Sequence, residues 1–585
     1  MAATTRISLL LNALAAALLS ACVPPPQGPG ELGPPRPVAA RAGQLDGAAV
    51  GEKGLVSAAD PRAAAAGAEI LRLGGSATDA AIATMLALGV VEPQSSGIGG
   101  GGFFVLGAPD GRIETLDGRE TAPMAATGTW FFRDGQPLSI RDAIPGGRSV
   151  GVPGNLRLAA KAHGEHGRLS WRSLFRPAIR LARDGFAITP RLREALLMWP
   201  SASLDPASRA LFFGAGGQPL PVGTVVRNPA LADTLEALAA RGADSFHVGP
   251  NASAIAAKVG TSAVNPAPLT TGEIASYDAK ERPPLCGSYR GYRICGMGPP
   301  SSGETSVFAV LKQLERFDMA ALGPASPTAW HLIAESQRLA YADRARYLGD
   351  PDYVKVPAAG LMDEAYLAGR GKLISPERTM AQVTAGTPAG ALAFADPQPQ
   401  EEHGTSHFAV VDKWGSAVSW TSTVESGFGS GLMVGGYYLN NELTDFDFVP
   451  QIEGRPVANR VEGGKRPRSS MAPTLVFAPD GRLVLLIGAA GGATIPMQVA
   501  KALIGVIDWK LTAQEAIALP VIFAPGDTVF VEKGSALEAM MPALQALGHK
   551  VQLRDPSFKA NAIQRTGNRW TGAADPRSEG AAVAE

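Results

Sequence analysis

The strongest constraint on the fold is a change of hydrophobic period near residue 405. From about 155 to 380 apolar residues recur mainly at helical spacing, as in "TAWHLIAESQRLAYADRARYL". The next stretch, "AQVTAGTPAGALAFADPQPQEE", is poor in aromatics, rich in Ala, Gly and Pro, and acidic at its end. That composition predicts a mobile, exposed linker over 380–404. Strand patterns follow at once. "HFAVV", a turn at "DKWG" and "SAVSWTSTV" form one predicted hairpin; "PTLVFA", a "PDG" turn and "RLVLLIG" form another. A mainly helical region, 48–404, therefore leads into a strand-rich region, 405–585, and no internal repeat is present. The junction is "EEHGTSHFAVVD", which holds His403 and His407, two of the chain's seven histidines.

Ahead of these regions lies a leader. "MAATTRISLLLNALAAALLSAC" has Arg6 followed by about fifteen mostly apolar residues, too few for a stable membrane span and right for a signal peptide. It ends Leu19-Ser20-Ala21-Cys22, which resembles the lipobox of bacterial lipoproteins. That resemblance implies a signal peptide over 1–21 and lipidation of Cys22. The alternative is an ordinary signal peptide with an incidental cysteine. The Pro/Gly-rich stretch 22–47 reads as a tether. Val23 does not resemble an inner-membrane retention signal, so the expected location is periplasmic, anchored by lipid to the outer membrane. Formal net charge is zero and no basic block could track a phosphate backbone, so nucleic-acid binding is not expected.

Export bears on the other two cysteines. Cys286 and Cys295 flank "GSYRGYRI", which reads as two strands around an Arg290-Gly291 turn. A two-residue loop places Tyr289 opposite Tyr292 and Cys286 opposite Cys295, and an oxidising compartment then predicts a cross-strand disulfide. Two helices are predicted earlier: one from Asp60 as N-cap and Pro61 to Gly74-Gly75, the next opened by Ser76 and Asp79 spaced as a capping box. The "SSGIGGGGFFVL" run has no Gly-Lys-Ser/Thr and leads from loop to strand, so close backbone packing is expected there and not a phosphate cradle.

Three chemistries compete at the junction. His403 and His407 are four apart, yet Gly404 and the β-branched run oppose a helix there, so no metal site is expected. No Gly-x-Ser-x-Gly elbow supports a serine triad. The third option is Thr405. Cleavage before it would free an α-amine to act as the base that a threonine hydroxyl lacks. Gly404 leaves the scissile peptide sterically open and free to take unusual backbone angles.

The motifs "HGTSHF", "TSTVESGFGSG", "LNNELTDFD", "KRPRSSMAPT", "GAAGG" and "ADPRSEG" follow in order. The N-terminal half supplies "GGSATDAAIA", "SSGIGGGGFF", "LDGRETAP", "GVPG" and "PPSSGE". Together, over roughly residues 48 to 580, they resemble the γ-glutamyltransferase (γ-glutamyltranspeptidase) family of N-terminal-nucleophile hydrolases. The resemblance implies an α/β (α+β) fold of four αββα layers, built from two chains made by self-cleavage between Gly404 and Thr405, which stay together as a heterodimer. It implies γ-glutamyl transfer from glutathione or a related amide, through a Thr405 ester, to water or an amino-acid or dipeptide acceptor, with no cofactor. Thr423 would orient the nucleophile, and Gly491 and Gly492 would form the oxyanion hole. Arg119, with Ser469 and Ser470, would grip the substrate carboxylate bidentately; Glu425, Glu442 and Asp445 would hold its ammonium. A glutaryl-type acylase of the same family, and an unprocessed surface binding protein, are the alternatives. Departures from the pattern include "GAAGG" and Glu304, the latter in a loop expected to lie away from the chemistry. The 446–468 segment is of intermediate length, which implies a partial lid.

Overall fold

Helix Pro61–Arg72 starts where the sequence places its cap: the Asp60 side chain accepts from the Arg62 amide and Pro61 takes the first position. Ser76 and Asp79 close a capping box on the next helix, Ala77–Val91, which is apolar on nearly every side and almost wholly buried. These elements belong to a computed structural model that describes residues 49–397 and 404–585. The signal peptide, the tether, Cys22 and His403 lie outside the described residues.

Two seven-stranded sheets organise the described residues. The first runs, edge to edge, Ala581–Ala584, Leu55–Ala58, Ser406–Val411, Ala417–Thr423, Gly101–Gly107, Ile113–Asp117 and Lys280–Arg282, antiparallel throughout. The strand after Gly404 is thus enclosed by strands from both sides of that glycine, so cutting there would leave two interleaved chains. Alternation along the strands assigns the faces. Phe408, Val410 and Phe104 meet the first helical layer, whereas Ala409, Val411, Phe103 and Val105 meet the second sheet. That sheet, from Val50–Gly51 to Leu285–Tyr289, is covered in turn by Gly303–Leu314, Pro327–Tyr347 and Ile495–Ile507. The layers are therefore αββα.

Cys286 faces Cys295 in the register Leu285↔Gly296 to Tyr289↔Tyr292, and the two are disulfide-bonded. Arg290 and Gly291 both have positive φ, as the tight two-residue turn requires. The glycine run packs backbone on backbone: a Cβ on Gly100 would lie 1.9 Å from the Thr423 carbonyl oxygen, and one on Gly99 would lie 2.0 Å from that of Tyr438.

Two expectations need correction. The described part of the linker is not simply exposed. Phe394 and Ala395 are buried, and the Ala395 amide donates to the Pro456 carbonyl at 3.0 Å. "ALAFA" carries enough apolar surface to anchor it beside Tyr347 and Ala458. Nor is Glu304 in a remote loop. It sits in the first turn of Gly303–Leu314, fully buried, and the preceding Ser301 and Ser302 pair with Ser469. In 446–468 a short hairpin, Gln451–Ile452 with Arg455–Pro456, forms the exposed tip, while Val457 to Asn459 are buried.

Candidate active site

Gly404 and Thr405 share an unusual backbone. Their φ angles are +84° and +83°. Glycine tolerates this; a β-branched threonine does so at a strain of about 1–3 kcal/mol. Space also excludes any side chain at 404, where a Cβ would fall 1.5 Å from the Glu425 carbonyl oxygen. The Thr405 hydroxyl donates to Thr423 Oγ1 at 3.1 Å, and Thr423 Oγ1 also accepts the Glu425 amide at 2.8 Å. Thr423 closes its strand and is fixed by pairing with Gly101, so its hydroxyl is a rigid reference for that of Thr405.

The carbonyl oxygen of Gly404 accepts the Gly491 amide at 3.1 Å. Gly491 lies where strand Leu483–Ala490 turns into helix Ile495–Ile507, at φ +123°. The Thr494 amide and hydroxyl both bond the Gly491 carbonyl, at 3.2 and 2.8 Å. In a trans peptide that turns the Gly492 N–H the opposite way. Gln498 Nε2 secures the preceding Ala490 carbonyl at 2.8 Å. The "GAAGG" variant thus has its own supports, and Gln498 is one that local pattern gave no reason to single out.

His407 points between the sheets, with Nδ1 2.9 Å from Thr421 Oγ1. Burial pushes it down to about 3, so it is neutral and supports the strand.

The acids form a second part of the site. Asn440 Oδ1 accepts the Glu442 amide at 3.1 Å and Asn441 Oδ1 accepts the Ser426 amide at 2.8 Å. These bonds fold the turn Glu442–Asp445 onto the loop after Thr423. Carboxylate oxygens of Glu425, Glu442 and Asp445 then lie within 4.8 Å of one another, all three residues buried. Arg119 pairs with Glu442 through Nη1 and with Asp445 through Nη2, and also donates to the carbonyls of Pro467 and Arg468. Four of its five N–H groups are engaged in this way. The expected bidentate grip on a substrate carboxylate is therefore not open in this arrangement. A carboxylate would meet one guanidinium N–H, or would displace Glu442.

Glu442 and Asp445 share Arg119, and among the described residues the buried Glu442 Oε2 has no hydrogen-bond partner. The cluster therefore suits a cation with several N–H donors; its three carboxylates are also the site's candidate set for a metal ion. Ser469 Oγ accepts the Met471 amide at 3.2 Å and Ser470 Oγ accepts from Arg344 Nη2 at 2.6 Å. Arg344 also donates to Ser302 Oγ at 2.8 Å. Arg344 was not legible as a partner of these serines, because "ADRARYL" reads as the polar face of a helix.

Glu120, next to Arg119, is fully buried, and among the described residues neither carboxyl oxygen has a hydrogen-bond partner. Burial pushes it up to about 8 from an ordinary 4.5, against the pull of Arg119. The folded protein therefore keeps a proton there that the unfolded chain releases above about pH 4.5. Stability from this group falls as pH rises from the unfolded to the folded value. Glu120→Gln should accordingly gain in Tm over the wild type between pH 5 and pH 8; a constant difference across that range would refute the assignment.

The model of the family described as Gamma-glutamyltranspeptidase matches residues 63–585. The chain is 34% identical over 550 residues to the glutathione hydrolase proenzyme of Bacillus subtilis (strain 168), covering 91% of this chain and 92% of that protein. It is 35% identical over 548 residues to the acylase ACY 1 proenzyme of Pseudomonas sp. (strain SE83), covering 92% and 94%. Among solved structures, cephalosporin acylase from Bacillus halodurans superposes with a TM-score of 0.81 at 27% identity, covering 92% of this chain and 97% of that one.

Proposed function

The chain belongs to the gamma-glutamyltranspeptidase family, and from that premise we propose an autoprocessing γ-glutamyl hydrolase/transferase whose nucleophile is Thr405. One observation carries the processing step: the Gly404 carbonyl already rests on the Gly491 amide, at a strained Thr405. The Thr405 hydroxyl attacks that carbonyl carbon, and Gly491 N–H stabilises the oxyanion. The C–N bond breaks as the hydroxyl proton passes to its nitrogen, which becomes the α-amine of Thr405, and water hydrolyses the remaining ester to leave Gly404 with a carboxylate. The same parts then serve turnover. The α-amine takes the Thr405 proton, the hydroxyl oxygen attacks the γ-carbonyl of glutathione or a similar donor, and the leaving amine departs with a proton. Water or an acceptor amine resolves the ester, giving up its proton to the α-amine, which passes it to the departing Thr405 oxygen and so restores the hydroxyl. Gly491 carries the oxyanion in processing, and Gly491 with Gly492 in turnover. Glu425, Glu442 and Asp445 receive the α-ammonium, and Arg119, Ser469 and Ser470 face the α-carboxylate.

A glutaryl-type acylase is the second reading, favoured by the likeness to the two acylases. A glutaryl group has no ammonium and would leave the acidic cluster without its cation, which costs binding. Paired γ-glutamyl and glutaryl anilides separate the readings. The γ-glutamyl compound is expected to have the higher kcat/KM, by at least about tenfold; preference for the glutaryl compound would reverse the assignment.

The chain is exported and held at the outer membrane by lipid on Cys22, facing the periplasm. Support comes from the leader and the Pro-rich stretch after it; among the described residues no helix is long and apolar enough to cross a membrane. Cys22→Ser should move the protein from the membrane fraction to the soluble one, and an unchanged distribution would exclude the anchor.

A further inference from the structure

We infer that Lys559 and Glu92 are positioning residues, which act through the Ser406 hydroxyl to hold Thr405 in register once the chain has been cut; this rests on the reading of Thr405 as nucleophile. Lys559 is buried, and its ammonium lies 3.1 and 3.0 Å from the two Glu92 carboxylate oxygens, 3.1 Å from Ser95 Oγ and 3.1 Å from Ser406 Oγ. Ser406 Oγ donates in turn to Glu92 Oε2 at 2.7 Å. The hydroxyl of the residue beside the nucleophile therefore both donates to a fixed carboxylate and accepts from a fixed ammonium. Little rotational freedom is left to it.

Three elements meet at this point. Glu92 caps helix Ala77–Val91, its amide donating to the Leu88 carbonyl at 2.8 Å. Ser406 opens the strand that Thr405 precedes. Lys559 opens the strand Lys559–Thr566, where it pairs with Ala490, the residue next to Gly491. The Lys559 backbone thus pairs beside the neighbour of the oxyanion donor, while its ammonium reaches the neighbour of the nucleophile.

Cleavage makes this clamp consequential. In the uncut chain Thr405 is held covalently on both sides. Afterwards it is a terminal residue beyond the last paired position, Ser406↔Ser422, and chain ends fray unless tied down. An apolar pair could fill the same volume at equal or better stability. Positioning gives the buried ion pair a purpose that packing does not. Burial pushes the Lys559 ammonium down to about 8, with Glu92 opposing, so most of its charge persists near neutrality.

The test is steady-state kinetics with a γ-glutamyl anilide on Ser406→Ala, Ser406→Thr and the double variant Lys559→Met/Glu92→Gln, with kcat expressed per processed chain. The double variant removes both charges of the pair together; Arg191, whose Nε lies 4.0 Å from Glu92 Oε1, is partly exposed to solvent. In Ser406→Ala the ion pair stays, so Tm should remain near wild type. Its kcat should fall about tenfold or more, as expected for a slightly misplaced nucleophile, with KM changed by no more than about twofold. Ser406→Thr, which keeps the hydroxyl, should recover most of the loss, and the double variant should match Ser406→Ala in kcat. Wild-type kcat in Ser406→Ala, or a loss carried by KM alone, would overturn the inference. Thr405→Ala belongs in the same series: activity surviving there would refute the nucleophile itself, a failure distinct from a silent Ser406.

Discussion

Thr405→Ala is expected to yield a single uncut chain with hydrolysis of a γ-glutamyl anilide reduced at least about a thousandfold. Both losses have one origin. The hydroxyl that bonds Thr423 belongs to the residue next to the Gly404 carbonyl, and the α-amine that would activate it in turnover exists only after cleavage. Gly404→Ala should block processing by another route: the new Cβ would meet the Glu425 carbonyl oxygen at a φ that side chains rarely adopt. Thr405→Ala that is still cut at 404, seen on a denaturing gel, would remove the processing mechanism. Cut but inactive Gly404→Ala would show that the backbone there matters to turnover and not to cleavage.

Arg119→Met should have the next largest effect, and on two quantities at once. Without the guanidinium, Glu442 and Asp445 lose their shared cation inside the protein while Glu425 remains beside them. Removing one partner from a buried charge group costs about 3–5 kcal/mol, readable as a lower midpoint in urea. On the proposed reading, the guanidinium N–H left for the substrate carboxylate is lost as well, so kcat/KM should fall by about tenfold to a hundredfold. Adding Glu442→Gln to Arg119→Met should return part of the stability and little of the activity. That divergence distinguishes a recognition role from a structural one. A double variant that recovers both together would mean that Arg119 serves only to neutralise its neighbours.

What was legible in the sequence follows from where each interaction lies along the chain. Asp60, Ser76 with Asp79, and the Arg290-Gly291 turn act on backbone a few residues away, and their signals are local. Gly404-Thr405 is likewise a local feature, made specific by the motifs around it. The Arg119 pairing with Glu442 and Asp445 spans more than three hundred residues and emerged only when the turn after Asn441 folded onto the Thr423 loop. Its consequence, a guanidinium already engaged, ran against the expected bidentate grip. Lys559 and Glu92, 467 positions apart, carry no local pattern at all. Glu304 was misplaced for a related reason: "PPSSGE" reads as a turn, but the serines cross to Ser469 and the glutamate enters a helix. Composition suggested an exposed linker because Ala, Gly and Pro dominate it; the few apolar residues at Phe394 and Ala395 decide its actual course.

The most direct test of the account is the covalent state of the small chain during turnover. The purified protein is mixed with a γ-glutamyl anilide, quenched in acid within one turnover, digested and analysed by mass spectrometry. The expected product is a small chain that starts at Thr405 and carries one γ-glutamyl group, as an ester on that residue. A γ-glutamyl group on any other side chain, or active protein whose 404–405 bond is intact, would contradict it.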